Sequence, residues 1–146
     1  MELTRSSTAV IYASPFSRTV ETARLCAEAA GLDPASTIHE SLAIRERGFG
    51  DLEMQSHDLY ETVWARDNID PTERPTGAGG ESVTDVSERV GCLLTKVKTT
   101  YEGTDTTIVF VTHGDCGQIL LATARGTDLR RHRLDNALET GELRRV

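Results

Sequence analysis

This sequence has no long basic run. Its 16 Lys plus Arg are outnumbered by 23 Asp plus Glu, for a net charge of −7. A chain of that balance does not attract polyanions, so neither nucleic acid nor an anionic membrane is an expected partner. Apolar stretches are short as well. None approaches the roughly 20 residues that a membrane span needs, and no leading apolar segment reads as a secretion signal. Cysteine is scarce: Cys26, Cys92 and Cys116 are odd in number and far apart. Reduced thiols in a soluble, cytoplasmic protein are therefore expected, rather than a disulfide framework. Lysine is almost missing. Fourteen of the sixteen cations are arginine, whose planar fork grips carboxylate or phosphate through two parallel bonds, although codon bias also produces such a composition. At 146 residues the chain has the size of one domain and can bury a core without metals or staples.

What is present is a repeated grammar of strand, turn and helix. Ala9 to Ala13 (AVIYA) is an apolar run rich in β-formers, closed by Ser14-Pro15, and Phe16 to Ala30 reads as a helix that Gly31 ends. Ser14 suits an N-cap, and Pro15 suits a first turn, where no amide hydrogen is needed. Ile108 to Thr112 (IVFVT) is a second apolar run, of the kind buried on both sheet faces, followed by His113-Gly114-Asp115 and a helix from Cys116 to about Arg125. Two such units imply a parallel α/β sheet. Between them, Leu59, Tyr60, Val63 and Trp64 mark a short helix, and Asp70 to Glu81 is a Pro/Gly-rich loop expected to be exposed and mobile. Ser82 with Asp85 forms a capping-box pattern ahead of Val83, Val86, Val90, Leu93, Leu94, Val97 and Tyr101 at helical spacing. The tail from Leu134 to Val146 is expected to end in an edge strand.

In open parallel sheets, ligands bind outside the carboxyl ends of the strands, where helix N-termini favour anions. Both strand ends carry phosphate-compatible side chains there: Ser14 and Arg18 after the first, His113 after the second. Arg18 lies one helical turn past Ser14, so its guanidinium can swing back over the strand end. Gly114 lets the backbone beside His113 approach a ligand closely or adopt positive φ. A first-turn Arg taken alone is more often a solvated residue, and a strand-end His is as often a core hydrogen bonder. Their matching positions turn the balance toward function.

Four strings carry a family resemblance: SPFSR at Ser14 to Arg18 with the following ETA, RERGFGDLE at Arg45 to Glu53, GGES at Gly79 to Ser82, and VTHGD at Val111 to Asp115. Their order resembles that of the histidine phosphatases. The resemblance implies a three-layer, phosphoglycerate mutase-like α/β fold with a mostly parallel sheet. By the same resemblance Arg18 is the phosphate-clamping Arg, and His113 is the second His, which donates to the transferring phosphoryl group. Glu46 is the acid that protonates the leaving oxygen, with Glu81 the alternative; a plain loop carboxylate paired with Arg45 or Arg47 is the structural reading of Glu46. Arg47, Glu81, Ser82 and Gly114 are further candidates for the substrate pocket. Arg and His donors stabilise charge on the equatorial phosphoryl oxygens while the acid assists departure of the alcohol. No metal or other cofactor is implied, and the expected ligand is a small phosphomonoester or inorganic phosphate. Phosphatase is favoured over mutase because the loops are short.

One expected piece is missing. The family's first strand delivers an Arg-His-Gly turn whose His is the nucleophile, and this sequence contains no Arg-His-Gly. Its one Arg-His, Arg131-His132, precedes Arg133 in a charged stretch. The resemblance thus covers the family's middle and end, and the fold is expected to lack its first strand. Three explanations stand: a truncated part of an active phosphatase, a natural short form that binds phosphate without turnover, or a replacement nucleophile. For the last, Cys116 near a helix N-terminus is the candidate, but no Cys-x5-Arg loop surrounds it and a buried inert thiol is the simpler reading. His39, His57 and His132 lie in polar surroundings and read as surface residues. A zinc site from His113 and Cys116 has no second cluster to complete it. Without the family's first strand, the sheet is expected to show a gap, a rearrangement or an exposed edge through which chains self-associate.

Overall fold

The computed structural model describes residues 8–146. Both the segment ahead of Thr8 and the side chain of His57 lie outside the described residues. Three strands, β1 (Thr8–Ala13), β2 (Ile38–Glu40) and β3 (Thr106–Val111), form one parallel sheet in the order β2-β1-β3. β1 and β3 pair along their whole length, from Thr8 opposite Thr106 to Ala13 opposite Val111. Around them stand α1 (Ser17–Ala29), α2 (Pro34–Thr37), α3 (Tyr60–Asp67), α4 (Val83–Tyr101), α5 (Gly114–Arg125) and α6 (His132–Asp135).

Period-two alternation along the strands builds the three layers. Ile11, Ala13, Val109 and Val111 face α1, where Ala23 and Ala27 are fully buried and small enough to bring the helix close to the sheet. Tyr12, Ile108 and Phe110 point to the other side. There they meet the stripe of α4 (Val83, Val86, Val90, Leu93, Val97) together with Cys116, Ile119 and Leu120 of α5. Burying one such Val contributes roughly 1.5–3 kcal/mol. α4 begins as the capping box foretells: Ser82 Oγ accepts from the Asp85 amide at 3.0 Å, and the Asp85 carboxylate accepts from the Ser82 amide at 2.8 Å. α5 is buried continuously from Asp115 to Ala122, as befits a helix enclosed by the sheet, α4 and α6.

Several expectations are corrected. α1 starts at Ser17 with Phe16 as its N-cap and no side-chain capping bond; Ser14 is still tied to the sheet, its amide donating to the Val111 carbonyl at 2.9 Å. The apolar run at 108–112 is not buried on both faces: all six residues of β3 are half-buried. Among the described residues β3 pairs with β1 alone, and the three strands follow one another without a gap. The tail carries no strand; α6 is followed by turns and irregular chain. Among the described residues, no helix is long and apolar enough to cross a membrane.

Candidate active site

The register of β1 and β3 sets Ser14 beside the segment that carries His113, because Ala13 pairs with Val111. His113 is the N-cap of α5 and is buried, while Arg18 rises from the first turn of α1 into solvent. Arg18 Nη2 stands 2.9 Å from His113 Nδ1, and His113 Nε2 stands 2.8 Å from Ser14 Oγ. Phe16 packs edge-on against the His113 ring, 5.0 Å between centroids, and Arg18 lies over Phe16. Burial, followed by the positive charges of Arg18 and Arg89, pushes the imidazole pKa down to about 4, so the ring is neutral at neutral pH. Gly114 takes no positive φ, but a Cβ there would meet nothing within 4 Å, so the space beside His113 is open.

Glu46 approaches the same helix end. The Thr112 hydroxyl donates to the Ile44 carbonyl at 2.8 Å, fixing the 45–53 segment against the end of β3. Glu46 Oε1 then accepts from the amides of Arg47 (2.9 Å) and Cys116 (3.2 Å), the latter in the first turn of α5. Its bond to Arg47 is made with the backbone, not the guanidinium. Burial, with the Asp115 charge adding to it, raises the Glu46 carboxyl above its ordinary range despite these amides and Arg18. Glu81 differs. Burial would raise it too, but Arg89, the Gly48 amide and Arg45 outweigh that and hold its pKa below the usual value. Its oxygens lie 2.6 Å from Arg45 Nη2 and 3.0 Å from Arg89 Nε. The two carboxyls are thus shifted in opposite directions, Glu46 upward and Glu81 downward.

The remaining candidates serve the frame. Arg47 is completely buried: its two Nη atoms reach Asp67 at 2.6 and 2.9 Å, Nη1 also reaches Asp115 at 3.2 Å, and Nε donates to the Glu81 carbonyl at 2.8 Å. Ser82 spends its hydroxyl on the α4 cap. Glycines in the RERGFGDLE and GGES strings let two loops touch, since a Cβ on Gly48 would collide with the Gly79 carbonyl. His132, read as a surface residue, is buried; its Nε2 lies 3.2 Å from Asp115 and its Nδ1 2.9 Å from the Leu129 carbonyl. His39 does lie exposed, in β2 beside Tyr12. Cys116 is buried and its thiol pKa is raised by that burial.

Sequence reasoning missed Arg89, which joins α4 to this region by donating to Glu81, to the Ala43 carbonyl at 2.7 Å and to the Glu46 carbonyl at 3.4 Å. The available signal was its place between Val86 and Val90 on an otherwise apolar stripe. A groove of about 330 Å³ between α3 and the 70–81 loop lies elsewhere; none of Ser14, Arg18, Glu46 or His113 lines it. No group of three or more His, Cys, Asp and Glu among the described residues could hold a metal ion.

Residues 1–144 match the profile of the histidine phosphatase superfamily (branch 1). No curated protein matches the chain. Among solved structures it is similar to YhfR of Bacillus stearothermophilus, with a TM-score of 0.66 and 27% identity over 89% of this chain and 63% of that one. It is also similar to the mycobacterial glucosyl-3-phosphoglycerate phosphatase Rv2419c in complex with VO3, with a TM-score of 0.72 and 22% identity over 92% of this chain and 66% of that one. A third similar structure is the alpha-ribazole phosphatase of Shigella flexneri, with a TM-score of 0.63 and 22% identity over 88% of this chain and 62% of that one. The chain thus spans less than two thirds of the length of these structures.

Proposed function

Because this chain belongs to the histidine phosphatase superfamily, we propose that Arg18 and His113 form half of a phosphoryl pocket for small phosphomonoesters, with Glu46 as the acid that protonates the leaving oxygen. The observation that carries this reading is the meeting of the three residues at one sheet edge. Arg18 touches His113, and the Glu46 carboxyl, its pKa raised, caps the amide of Cys116 three residues beyond His113. An exposed Arg fork supplies bidentate recognition of a phosphoryl group, the α5 N-terminus favours its charge, and a protonated Glu46 neutralises the departing alkoxide. Relatives of this fold have been seen with inorganic phosphate and with VO3, which agrees with a phosphate ligand for this chain.

The family's reaction runs through a phosphohistidine, and no His of this sequence stands in an Arg-His-Gly turn. His132 is buried against Asp115, and His113 has both nitrogens engaged. The reading for this chain is therefore phosphate binding, with impaired turnover as the expectation to be measured. The second reading, a phospholigand-binding or protein-interaction module, draws on the same observation. Among the described residues no strand covers the second edge of β3; self-association through that edge belongs to either reading, and light scattering at rising concentration measures it.

Calorimetry with phosphate and vanadate, alongside turnover of an aryl phosphate, tests the reading. Binding that His113→Ala abolishes, with no turnover, is the expected result. Turnover accompanied by an acid-labile phosphohistidine would overturn the claim of impaired catalysis, and absence of binding to either anion would overturn the pocket.

A further inference from the structure

Both nitrogens of the His113 ring are occupied. A guanidinium can only donate, so the 2.9 Å contact from Arg18 Nη2 requires Nδ1 to be bare of hydrogen. Nε2 then carries the single ring hydrogen of the neutral imidazole and donates it to Ser14 Oγ at 2.8 Å. A ring in that state has no N–H to offer an incoming anion. Arg18 is the freer partner: it is exposed, and its contact with Nδ1 is replaceable.

We propose that an oxyanion enters this site by drawing the Arg18 donor away from His113, and that His113 takes up one proton from solvent as it does so, leaving Nδ1–H and the Arg18 fork both turned to the anion. The inference rests on reading the site as an oxyanion pocket and adds to it how that pocket is regulated. Ser14 acts in it as a positioning residue. By accepting from Nε2–H in the empty site, its hydroxyl directs the added proton to Nδ1.

The surroundings agree. The cations facing the ring are Arg18 from α1 and Arg89 from α4; with burial, they disfavour the imidazolium while the site is empty. A bound dianion reverses the local field and favours it. On the loop side Glu46 faces Arg18 and has its own raised pKa, which makes it the competing proton acceptor. On α5 itself, Asp115 is committed to Arg47, His132 and Arg133, and the buried Cys116 thiol holds its proton.

Sulfate is the suitable probe, because it keeps its charge across neutral pH whereas phosphate titrates there. Calorimetry of the intact chain in buffers of different ionisation enthalpy counts the proton. The expected result is uptake of about one proton per sulfate near neutrality, with affinity weakening about tenfold per pH unit through that same range. Nitrogen NMR of the imidazole is expected to report only Nε2 protonated in the free protein and both nitrogens protonated with sulfate bound. Uptake that persists in Glu46→Gln supports the proposal, and uptake that vanishes in that variant overturns it. Equal affinity across the pH range without proton uptake overturns it as well, while leaving the oxyanion pocket intact. Failure to bind sulfate or phosphate at any pH overturns both.

Discussion

Arg18 and Arg47 sit in two of the four family strings, and the molecule uses them in opposite ways. Arg18 stands in solvent against a neutral imidazole. Arg47 is enclosed, and its fork is filled by Asp67, Asp115 and the Glu81 carbonyl. A guanidinium is available to a ligand only to the extent that its donors are unspent, so the first reads as recognition and the second as architecture. Through Asp67, Arg47 ties α3 to the 45–53 segment, and through Asp115 it ties both to the start of α5. Arg133 extends the same network, bonding Asp115 at 3.3 Å and stacking 3.5 Å over the Trp64 ring.

Breaking the buried pair is expected to have the largest effect. Asp67→Asn leaves the buried Arg47 with Asp115 as its remaining carboxylate, at 3.2 Å, and removing one partner of a buried pair costs up to about 3–5 kcal/mol. Urea denaturation is expected to show that loss; a change under about 1 kcal/mol would mean that water reaches Arg47 and that the contrast with Arg18 is wrong. Replacing the partners together with apolar residues of similar shape would cost far less.

The two glutamates repeat the comparison on the acid side. Glu81 has its pKa lowered, so the stability it contributes is present above the unfolded carboxylate range and is lost as pH falls through the folded value. Glu46 has its pKa raised: the folded state binds the proton more tightly, and stability declines as pH rises from the unfolded value through the folded one. Glu81→Gln is therefore expected to destabilise the protein at neutral pH by about 1–3 kcal/mol, through charge-assisted bonds lost to Arg89 and Arg45. Glu46→Gln, whose amide oxygen can still accept from the Arg47 and Cys116 amides, is expected to leave stability unchanged or higher. Thermal melts of both variants from mildly acid to neutral pH check the opposite signs; equal losses would remove the ground for choosing Glu46 as the acid.

The parts legible in the sequence are those set by local pattern. The two strand-turn-helix units, the Ser82–Asp85 cap and the α4 stripe follow from spacing alone, and the strand ends brought Arg18 and His113 together. What escaped was decided by partners distant along the chain. His132 looks like a surface residue among arginines until Asp115, seventeen positions earlier, is seen to receive it. Ser14 has the chemistry of a cap, yet His113, ninety-nine residues later, claims its hydroxyl. β2 is three residues long, too short for any periodicity, and exists because β1 offers it an edge. β3 resembles a central strand in composition, but among the described residues it pairs on one side only and its side chains are half-buried.

Little change in stability is expected at Arg18, and it is the sharpest test of the comparison. Arg18→Ala removes one contact to a nitrogen that water can serve instead, and the side chain lies in solvent, so stability is expected to move by no more than about 0.5 kcal/mol. The same substitution removes the exposed fork beside His113 and is expected to weaken phosphate binding by at least about tenfold, since charge-assisted bonds contribute roughly 1.5–3 kcal/mol. Melting curves and phosphate titrations on one protein sample separate the two quantities. Loss of affinity at constant stability makes Arg18 a recognition residue; loss of stability with unchanged affinity would place it with Arg47 as part of the frame.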